Sequence, residues 1–531
     1  MLDDLLPAID FIRTWSVLVY EFGVLLLLTV TLALYIAQRR YQLVDPVSKS
    51  DGKHSEIAPR SLPVLSDSWG LLSNGLTTFL TTNMLERCRA IPDGSPFKLQ
   101  LAGQPAMFVL STPADFEDVL ATRFNNFERG VNETFFELTG ESIFAVDGPA
   151  WKKQRRLFAK LFSPHALRDG GDVTRVVNAH VDNLKLELTD QIGETVNLSK
   201  LLSMFTMNVI TELGFGVTVD KANDDALSTA LNGVTTTLTK RFLLPPWLWK
   251  LQRTIGFGLE RDLQKHLDVV DRAATSIINR SIQNRYEQTE TFKRNIVSVA
   301  VDELLPPDET STEANDDSAM DMDLLRALVR GFLVGGRDST SQTLSWFFAC
   351  VMRHPDVERQ ILDELARVQG NQDGELPLEQ LVFLEATLRE TMRLYPIVAF
   401  NSRRCIVETK LADGTVVRVG DRVGLPTFAV QRLERIWGDD ASEFKPERWI
   451  DANGKLRRVS AFQFPVFHAG PRVCLGLHLA LIEMKTMAAT LLATFRFALP
   501  PDAPPATYVA SLVQPMKEPL SVRVQLRESA L

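Results

Sequence analysis

The sequence contains very little cysteine: four residues in a chain of 531, far apart and without any C-x-x-C pair. They are Cys88, Cys350, Cys405 and Cys474. Small secreted domains that depend on disulfides carry denser and more regularly spaced cysteines. The cysteine pattern therefore argues against a disulfide framework and favours a reducing compartment.

The sequence also lacks a long basic run, any internal repeat and any glycine-rich fingerprint for a flavin or nicotinamide cofactor. Its net charge is −8 and its pI is near 5.6. Nucleic-acid-binding proteins usually carry a basic patch or stripe. We therefore expect no nucleic acid partner.

One long apolar run is present near the amino terminus, over Trp15–Ala37, and Glu21 is its single charge. That length suits one membrane-spanning helix. A cleaved signal peptide is the alternative, but the residues before the run are acidic where such a peptide is basic. Arg39 and Arg40 follow directly, so the positive-inside rule predicts that everything after residue 38 is cytosolic. We expect a tail at 1–14, a membrane anchor at 15–38 and a linker at 39–58.

The remainder, 59–531, reads as one mainly α domain with a smaller β portion. Strand-like patterns occur at Lys98–Leu110 and Cys405–Leu425, with Gly and Asp at the turns. Helical periods dominate between them. Asp323–Arg353 is predicted to be one long helix, although Gly335 and Gly336 lie at its middle.

The decapeptide Phe467–Gly476 reads F-H-A-G-P-R-V-C-L-G. Its spacing suits a loop that presents the Cys474 thiolate to haem iron, and a thiolate ligand favours cleavage of the O–O bond. Gly470 would allow a tight turn, Arg472 could pair with a haem propionate, and Phe467 could shield the sulfur. A buried structural cysteine is the alternative. Five residues stand at the spacing that such a loop requires: Phe467, Gly470, Arg472, Cys474 and Gly476. We therefore take Cys474 as the haem ligand.

With this loop the chain resembles the cytochrome P-450 family of haem-thiolate monooxygenases. The resemblance implies the P-450 fold, haem b as cofactor and O2 as co-substrate. In Gly335–Thr340, G-G-R-D-S-T, it implies that Asp338 relays protons and that the Ser339 hydroxyl orders a water. The family usually has threonine at that position, and Thr340 is the alternative donor.

Further motifs match the family's scaffold and haem contacts. Glu390 and Arg393, at i and i+3, would form only a surface pair if taken alone. With Arg448 they match the family's Glu-Arg-Arg lock, in which one carboxylate binds two guanidinium groups. The resemblance also implies that Trp151, Arg155 and Arg403 contact haem propionates, although a core tryptophan and a surface arginine are the plainer interpretations of the first two.

Several segments are most similar to ω-hydroxylases of fatty acids and n-alkanes from plants and fungi, among them V-L-A-T-R-F-N-N-F, L-S-W-F-F and F-K-P-E-R-W. An apolar cluster falls where family members line the substrate channel: Phe135, Phe136, Ile143 and Phe144. Such a cluster suits an acyl chain, but it suits core packing equally.

The resemblance implies a lipophilic substrate, an endoplasmic reticulum membrane location and electrons from NADPH through a separate NADPH–cytochrome reductase. A set of basic residues could contact that reductase, namely Lys152, Lys153, Lys455, Arg457 and Arg458. Two alternatives stay open: oxidation of a sterol or another lipophile, and a non-catalytic haem sensor or carrier. The glycines and the acid–hydroxyl pair of Gly335–Thr340 argue against the second alternative.

Overall fold

The computed structural model describes residues 67–101, 105–130, 137–159, 171–218, 221–241, 246–286, 317–369, 376–509 and 513–527, with the single positions 29, 32, 297 and 511. The predicted tail, anchor and linker, 1–58, lie outside this part of the chain, except that Thr29 and Leu32 are helical. The domain boundaries therefore stay predictions.

The described chain is mainly helical, as predicted. Its helices are α1 Ser68–Thr78, α2 Met84–Arg89, α3 Pro113–Glu117, α4 Gly148–Ala159, α5 Asp172–Thr189, α6 Leu198–Phe215, α7 Lys221–Arg241, α8 Pro246–Thr254, α9 Leu259–Tyr286, α10 Asp317–Val351, α11 Pro355–Gln369, α12 Val382–Leu394, α13 Thr427–Val430, α14 Glu434–Trp437 and α15 Leu477–Thr494. Short 3-10 turns lie at the start of the cysteine loop, at Pro465–Phe467, and within it, at Gly470–Arg472.

Helix α10 is the centre of the helical part, where it packs against α6, α9, α12 and α15. It runs over Asp317–Val351, so it begins six residues before the predicted helix and ends two residues earlier. The helix continues through Gly335 and Gly336. A Cβ atom on Gly336 would come within 2.6 Å of Ile210 Cγ1. Gly336 therefore allows α10 and α6 to pack closely.

The described residues form ten short strands: β1 Phe97–Leu99, β2 Met107–Val109, β3 Phe127–Glu128, β4 Thr195–Asn197, β5 Asn401–Cys405, β6 Thr409–Lys410, β7 Val416–Val417, β8 Arg422–Leu425, β9 Phe495–Ala498 and β10 Ser521–Leu526. The largest sheet has the order β1-β2-β8-β5-β3. Its predicted hairpin pairs Phe97 with Val109, and β5 pairs antiparallel with β8 through Arg403 and Val423. This sheet places Arg403 beside the cysteine loop.

Helix α15 follows the cysteine loop directly. Within the described residues it is the one helix that by length and apolar composition could cross a membrane, but half of it is buried inside the protein. Met484, Met487, Leu491 and Leu492 are all at most 1% exposed and belong to the main hydrophobic core. We therefore interpret α15 as a core helix that anchors the loop before it.

Candidate functional site

The loop Phe467–Gly476 is held by backbone hydrogen bonds and by one obligatory glycine. The Cys474 N–H donates to the Phe467 carbonyl at 2.8 Å, and the Val473 N–H donates to the Gly470 carbonyl at 3.1 Å. Gly470 has a φ of 66°, and a Cβ atom there would lie 2.0 Å from the Leu120 carbonyl oxygen. No side chain fits at that distance, so the turn requires glycine.

Cys474 lines a recess. Its side chain is exposed, in contrast to Cys88, Cys350 and Cys405, which are buried. Burial nevertheless raises the pKa of the Cys474 thiol, while the Gly476 N–H and the Arg155 charge act to lower it. A thiol that is accessible and yet desolvated lies in a concave space inside the protein.

A cluster of cations lies beside this loop. Burial, helped by the charges of Arg129 and Arg472, lowers the pKa of Arg403 to about 9. Burial and the Arg472 charge lower the pKa of Arg129 to about 10. Among the residues that the structure describes, one carboxylate contacts the cluster: Asp147 accepts hydrogen bonds from the Arg129 backbone N–H at 3.0 Å and from Arg472 Nη2 at 2.5 Å.

The charges of this cluster fit haem. Three guanidinium groups face one carboxylate, so among the described residues two positive charges remain without a negative partner. Desolvated charges are costly unless they are paired. The two propionates of haem b would balance them. A Cβ atom on Gly476 would also meet no described atom within 4 Å, which leaves room for a flat group against the start of α15.

Trp151 and Arg155 lie on α4, which faces the same recess. Trp151 is 6% exposed, and the Arg472 guanidinium lies 4.5 Å from its ring centroid. Burial lowers the pKa of Arg155, whereas the nearby Cys474 acts to raise it. The structure therefore brings the four predicted haem contacts, Trp151, Arg155, Arg403 and Arg472, together around the cysteine loop.

Glu390, Arg393 and Arg448 are in direct contact. Both carboxylate oxygens of Glu390 accept hydrogen bonds from Arg393 at 2.8 Å, and Arg448 Nε lies 3.3 Å from Glu390 Oε1. Glu390 and Arg393 are completely buried. The Trp449 indole N–H and the Lys445 backbone N–H also donate to Glu390, both at 2.9 Å. This network ties α12 to the segment that precedes the cysteine loop.

The acid and the two hydroxyls of α10 point in different directions. Asp338 is buried and pairs with Arg337 at 2.6 Å; burial raises the pKa of Asp338, and Arg337 acts to lower it. Ser339 is half-buried, and its hydroxyl donates to the Gly335 carbonyl at 2.8 Å. Thr340 is 4% exposed and hydrogen-bonds Glu483 of α15.

Of the four predicted channel residues, Phe144 reaches α10. A Cβ atom on Gly335 would lie 2.9 Å from Phe144 Cζ, one turn before Ser339. Ile143 is partly buried and packs against the main core. Phe135 and Phe136 lie outside the described residues. The structure therefore brings Phe144 close to the predicted oxygen-side segment of α10.

Sequence reasoning missed three charged or polar groups of this region. Arg129 follows β3 and belongs to no recognisable motif, and His468 lies in the decapeptide between residues with predicted roles, Phe467 and Gly470. Glu483 is the third: burial raises its pKa to about 8, although the hydrogen bond from Thr340 acts to lower it. The sequence does contain one indication of His468, because this histidine directly follows Phe467 and precedes the glycine of the turn, Gly470, by two residues.

Comparison with known proteins agrees with this geometry. The Cytochrome P450 family model matches residues 83–522. Cytochrome P450 94C1 of Arabidopsis thaliana is 31% identical over 438 residues, which cover 79% of this chain and 84% of that protein. Cytochrome P450 CYP94D108 of Paris polyphylla is 32% identical, over 73% of this chain and 78% of that protein. Alkane hydroxylase MAH1 of Arabidopsis thaliana is 29% identical, over 75% of this chain and 79% of that protein. The chain belongs to the cytochrome P450 family and is a haem-dependent monooxygenase.

Proposed function

We propose that this monooxygenase hydroxylates the aliphatic chain of a fatty acid or an alkane, with Cys474 as the thiolate ligand of its haem. The observation that supports the site most strongly is the desolvated but accessible Cys474 near three guanidinium groups, of which only that of Arg472 pairs with a described carboxylate, Asp147. When bound, haem would supply the chemistry that activates O2 and transfers one oxygen atom to a C–H bond.

The residues of the recess would hold the haem and its ligand. Arg129, Arg403 and Arg472 would bind the propionates, which need cationic hydrogen-bond donors. The Gly476 N–H and the Arg155 charge both stabilise the anionic form of Cys474. The Glu390 network would keep the segment before the loop in one position.

Ser339 would order the water that delivers protons, and Asp338 would supply them. Three observations favour Ser339 over Thr340: it is half-buried, it lies on the same face of α10 as Gly335, and its hydroxyl is back-bonded to that glycine. The Thr340 hydroxyl instead faces α15 through Glu483. Asp338 would have to leave Arg337 to take part.

An acyl or alkyl substrate is supported by Phe144 and by the relatives. The Phe144 ring lies against Gly335 of α10, so an aromatic wall stands one turn from Ser339. Aliphatic chains bind such walls through burial of apolar area. Alkane hydroxylase MAH1, by its name, hydroxylates alkanes, and the chain resembles it over most of its length.

We expect saturated fatty acids and alkanes to displace water from the ferric haem and change its spin state. Affinity should rise about fourfold for each added CH2, since burial of one contributes roughly 0.8 kcal/mol, until the channel is full. Titration by optical difference spectroscopy measures this, with a sterol of equal carbon number for comparison. If the sterol binds better than the chains, the sterol alternative replaces the aliphatic one.

Product analysis tests the function itself. The purified protein, reconstituted with an NADPH–cytochrome reductase, NADPH and O2, should yield hydroxylated fatty acids or alkanes in a mass-spectrometric survey. Phe144→Ala should weaken chain binding, while Phe158→Ala, a core phenylalanine that is 0% exposed, should affect mainly stability. Haem binding without any NADPH-dependent product would favour the sensor or carrier alternative.

Electrons are proposed to come from an NADPH–cytochrome reductase that docks on a basic surface. Lys152 and Lys153 are exposed on α4, the helix that carries Arg155 toward Cys474. Lys455, Arg457 and Arg458 are exposed as well. Docking between opposite charges weakens with salt. Rapid-mixing measurement of haem reduction should therefore slow at rising ionic strength, and a salt-independent rate would count against this surface.

The chain is proposed to be a single-pass protein of the endoplasmic reticulum membrane, anchored by residues 15–38, with its catalytic domain in the cytosol. A second apolar surface supports membrane contact. Trp247, Leu251 and Ile255 recur every four residues on and just after α8 and are at least 50% exposed, as is Phe257. Trp249 faces inward instead, stacked 4.3 Å from the Arg241 guanidinium. A helix anchored on one side and apolar on the other suits a lipid surface.

Deletion of residues 1–38 should leave a folded, haem-loaded protein that binds phosphatidylcholine vesicles more weakly than the full chain. Trp247→Asp with Phe257→Asp should remove the residual binding measured by co-sedimentation. Leu186→Asp is the matched control, since Leu186 is 64% exposed on α5. A full-length protein that is wholly soluble would contradict the proposed topology, as would glycosylation at Asn132 or Asn197, which stand in N-x-S/T acceptor sequences.

A further inference from the structure

His468 stands out in the cysteine loop because of its backbone. Its φ is 64° and its ψ is −174°, and it is the one residue other than glycine with a positive φ in the described part of the chain. That combination of angles is populated almost entirely by glycine. Two residues later Gly470 has a comparable φ of 66°, but there a glycine is present. Contacts made by the His468 side chain must therefore compensate for the unfavourable conformation of its backbone.

The imidazole of His468 is bonded through both ring nitrogens. Nε2 contacts Nη2 of Arg403, which can only donate, so Nε2 accepts. A neutral imidazole carries one N–H, so Nδ1 then holds the proton; it lies 3.0 Å from the Ala469 carbonyl oxygen, which can accept it, and 2.8 Å from the Ala469 backbone nitrogen. The contact with Arg403 thus selects one neutral tautomer and joins the loop to strand β5.

The surroundings favour that neutral form. Burial lowers the pKa of His468 to about 3, and the charges of Arg403, Arg129 and Arg472 add to the shift. A protonated ring would place a further positive charge among three guanidinium groups and would offer Arg403 a donor in place of an acceptor. His468 thus stays neutral at physiological pH.

Arg403 needs such an acceptor. Its Nη1 donates to the Ser402 carbonyl at 2.8 Å, and His468 holds Nη2. A guanidinium presents donors in a rigid planar fork, so two fixed contacts set the plane in which its remaining N–H groups point. The orientation of that plane determines whether the N–H groups of Arg403 are aligned to donate to a carboxylate in the recess.

We propose that His468 is a positioning residue for haem binding: its neutral imidazole orients the guanidinium of Arg403 toward a haem propionate. The inference rests on the haem site proposed above. It adds to that site a neutral residue, His468, which acts on the haem only through Arg403. In this arrangement the strained backbone is retained because a glycine, which would relieve the strain, has no acceptor to offer Arg403.

Three substitutions separate the acceptor from the backbone. His468→Gln places an oxygen near the position of Nε2 and keeps a residue with a Cβ atom. His468→Leu keeps the Cβ atom and comparable bulk but has no acceptor. His468→Gly relieves the backbone and also has none. Haem loss to an excess of apomyoglobin and the reduction potential of the bound haem are measured for each full-length holoprotein.

The expected result is about tenfold faster haem loss in both His468→Leu and His468→Gly, the size of one hydrogen bond to a charged group. A guanidinium charge close to the haem destabilises the more positive ferric state. When that guanidinium is misdirected the destabilisation is smaller, so the reduction potentials of both variants should fall. His468→Gln should remain close to the native protein in both measurements. In an Arg403→Gln background, His468→Leu should have little further effect, since the two changes remove one interaction.

If His468→Gly lost haem at the native rate and had the native reduction potential, the inference would be overturned. The hydrogen-bond acceptor would then be dispensable, and the effect of the other substitutions would come from backbone strain alone. Loss in His468→Gln equal to that in His468→Leu would overturn it as well, since the acceptor would not be what matters. Failure of the haem site itself has a different signature: the native protein would then bind no haem with a thiolate spectrum, and no comparison among variants would be possible.

Discussion

Glu390→Gln is expected to lower the free energy of unfolding by about 3–5 kcal/mol, the usual cost when one partner of a buried ion pair is removed. The glutamine nearly conserves shape but leaves the fully buried guanidinium of Arg393 without its counter-ion. In the native protein the Trp449 indole N–H and the Lys445 backbone N–H donate to the Glu390 carboxylate. In the variant an NH2 group replaces one of the acceptor oxygens and faces these donors. Urea unfolding and the fraction of protein that retains haem measure the effect.

A control variant lies on the same helix. Arg389→Ala removes the ion pair between Arg389 and Glu385, which is spaced i, i+4 and only partly buried. Pairs of this kind contribute about 0.3–0.5 kcal/mol. If Glu390→Gln costs no more than Arg389→Ala, the network does not stabilise the cysteine loop as we propose.

Asp338→Asn is expected to slow product formation about 10²–10⁴-fold, the range commonly contributed by a positioned acid or base. Ser339→Ala should act differently: NADPH consumption continues, but hydrogen peroxide replaces the hydroxylated product because the proton-delivering water is no longer ordered. Ser339→Thr should couple at least as well as the native residue, since β-branching restricts the rotamers of the hydroxyl. NADPH oxidation, peroxide and product are measured together.

Thr340→Ala is the control for this helix. Thr340 is buried against α15 and its hydroxyl is engaged with Glu483, so its loss should affect stability more than coupling. A Thr340→Ala protein that uncouples while Ser339→Ala does not would show that the roles of these neighbouring hydroxyls had been exchanged. Asp338→Asn also removes the partner of Arg337, so its folded fraction must be measured beside its rate.

Local patterns in the sequence predicted much of the fold and several close contacts. The β1–β2 hairpin and the long helix α10 follow from strand and helix patterns that are local in the sequence. The contact between Glu390 and Arg393 is also local, because i and i+3 share a helix face. The addition of Arg448 to that pair required the resemblance, since 58 residues separate it from Glu390.

The parts that the sequence did not predict depend on long-range packing. Arg129 joins Arg403 only because β3 pairs with β5, and His468 meets Arg403 across 65 residues of chain. The same limit applies to the glycines of α10. Gly335 and Gly336 look alike in sequence, yet one contacts Phe144 and the other Ile210 of α6. No local pattern distinguishes a glycine that faces a recess from one that faces a neighbouring helix.

The most direct test of the account is the absorption spectrum of the reduced protein under carbon monoxide. Thiolate ligation by Cys474 would alter the porphyrin transitions of the carbon monoxide complex, so the native protein should show a strongly red-shifted Soret band. Cys350→Ala should keep that band, since Cys350 is buried in the core and its pKa is raised to about 12 by burial. Cys474→Ser should lose the band even where haem is retained. A red-shifted band that persists in Cys474→Ser would contradict the assignment of the ligand.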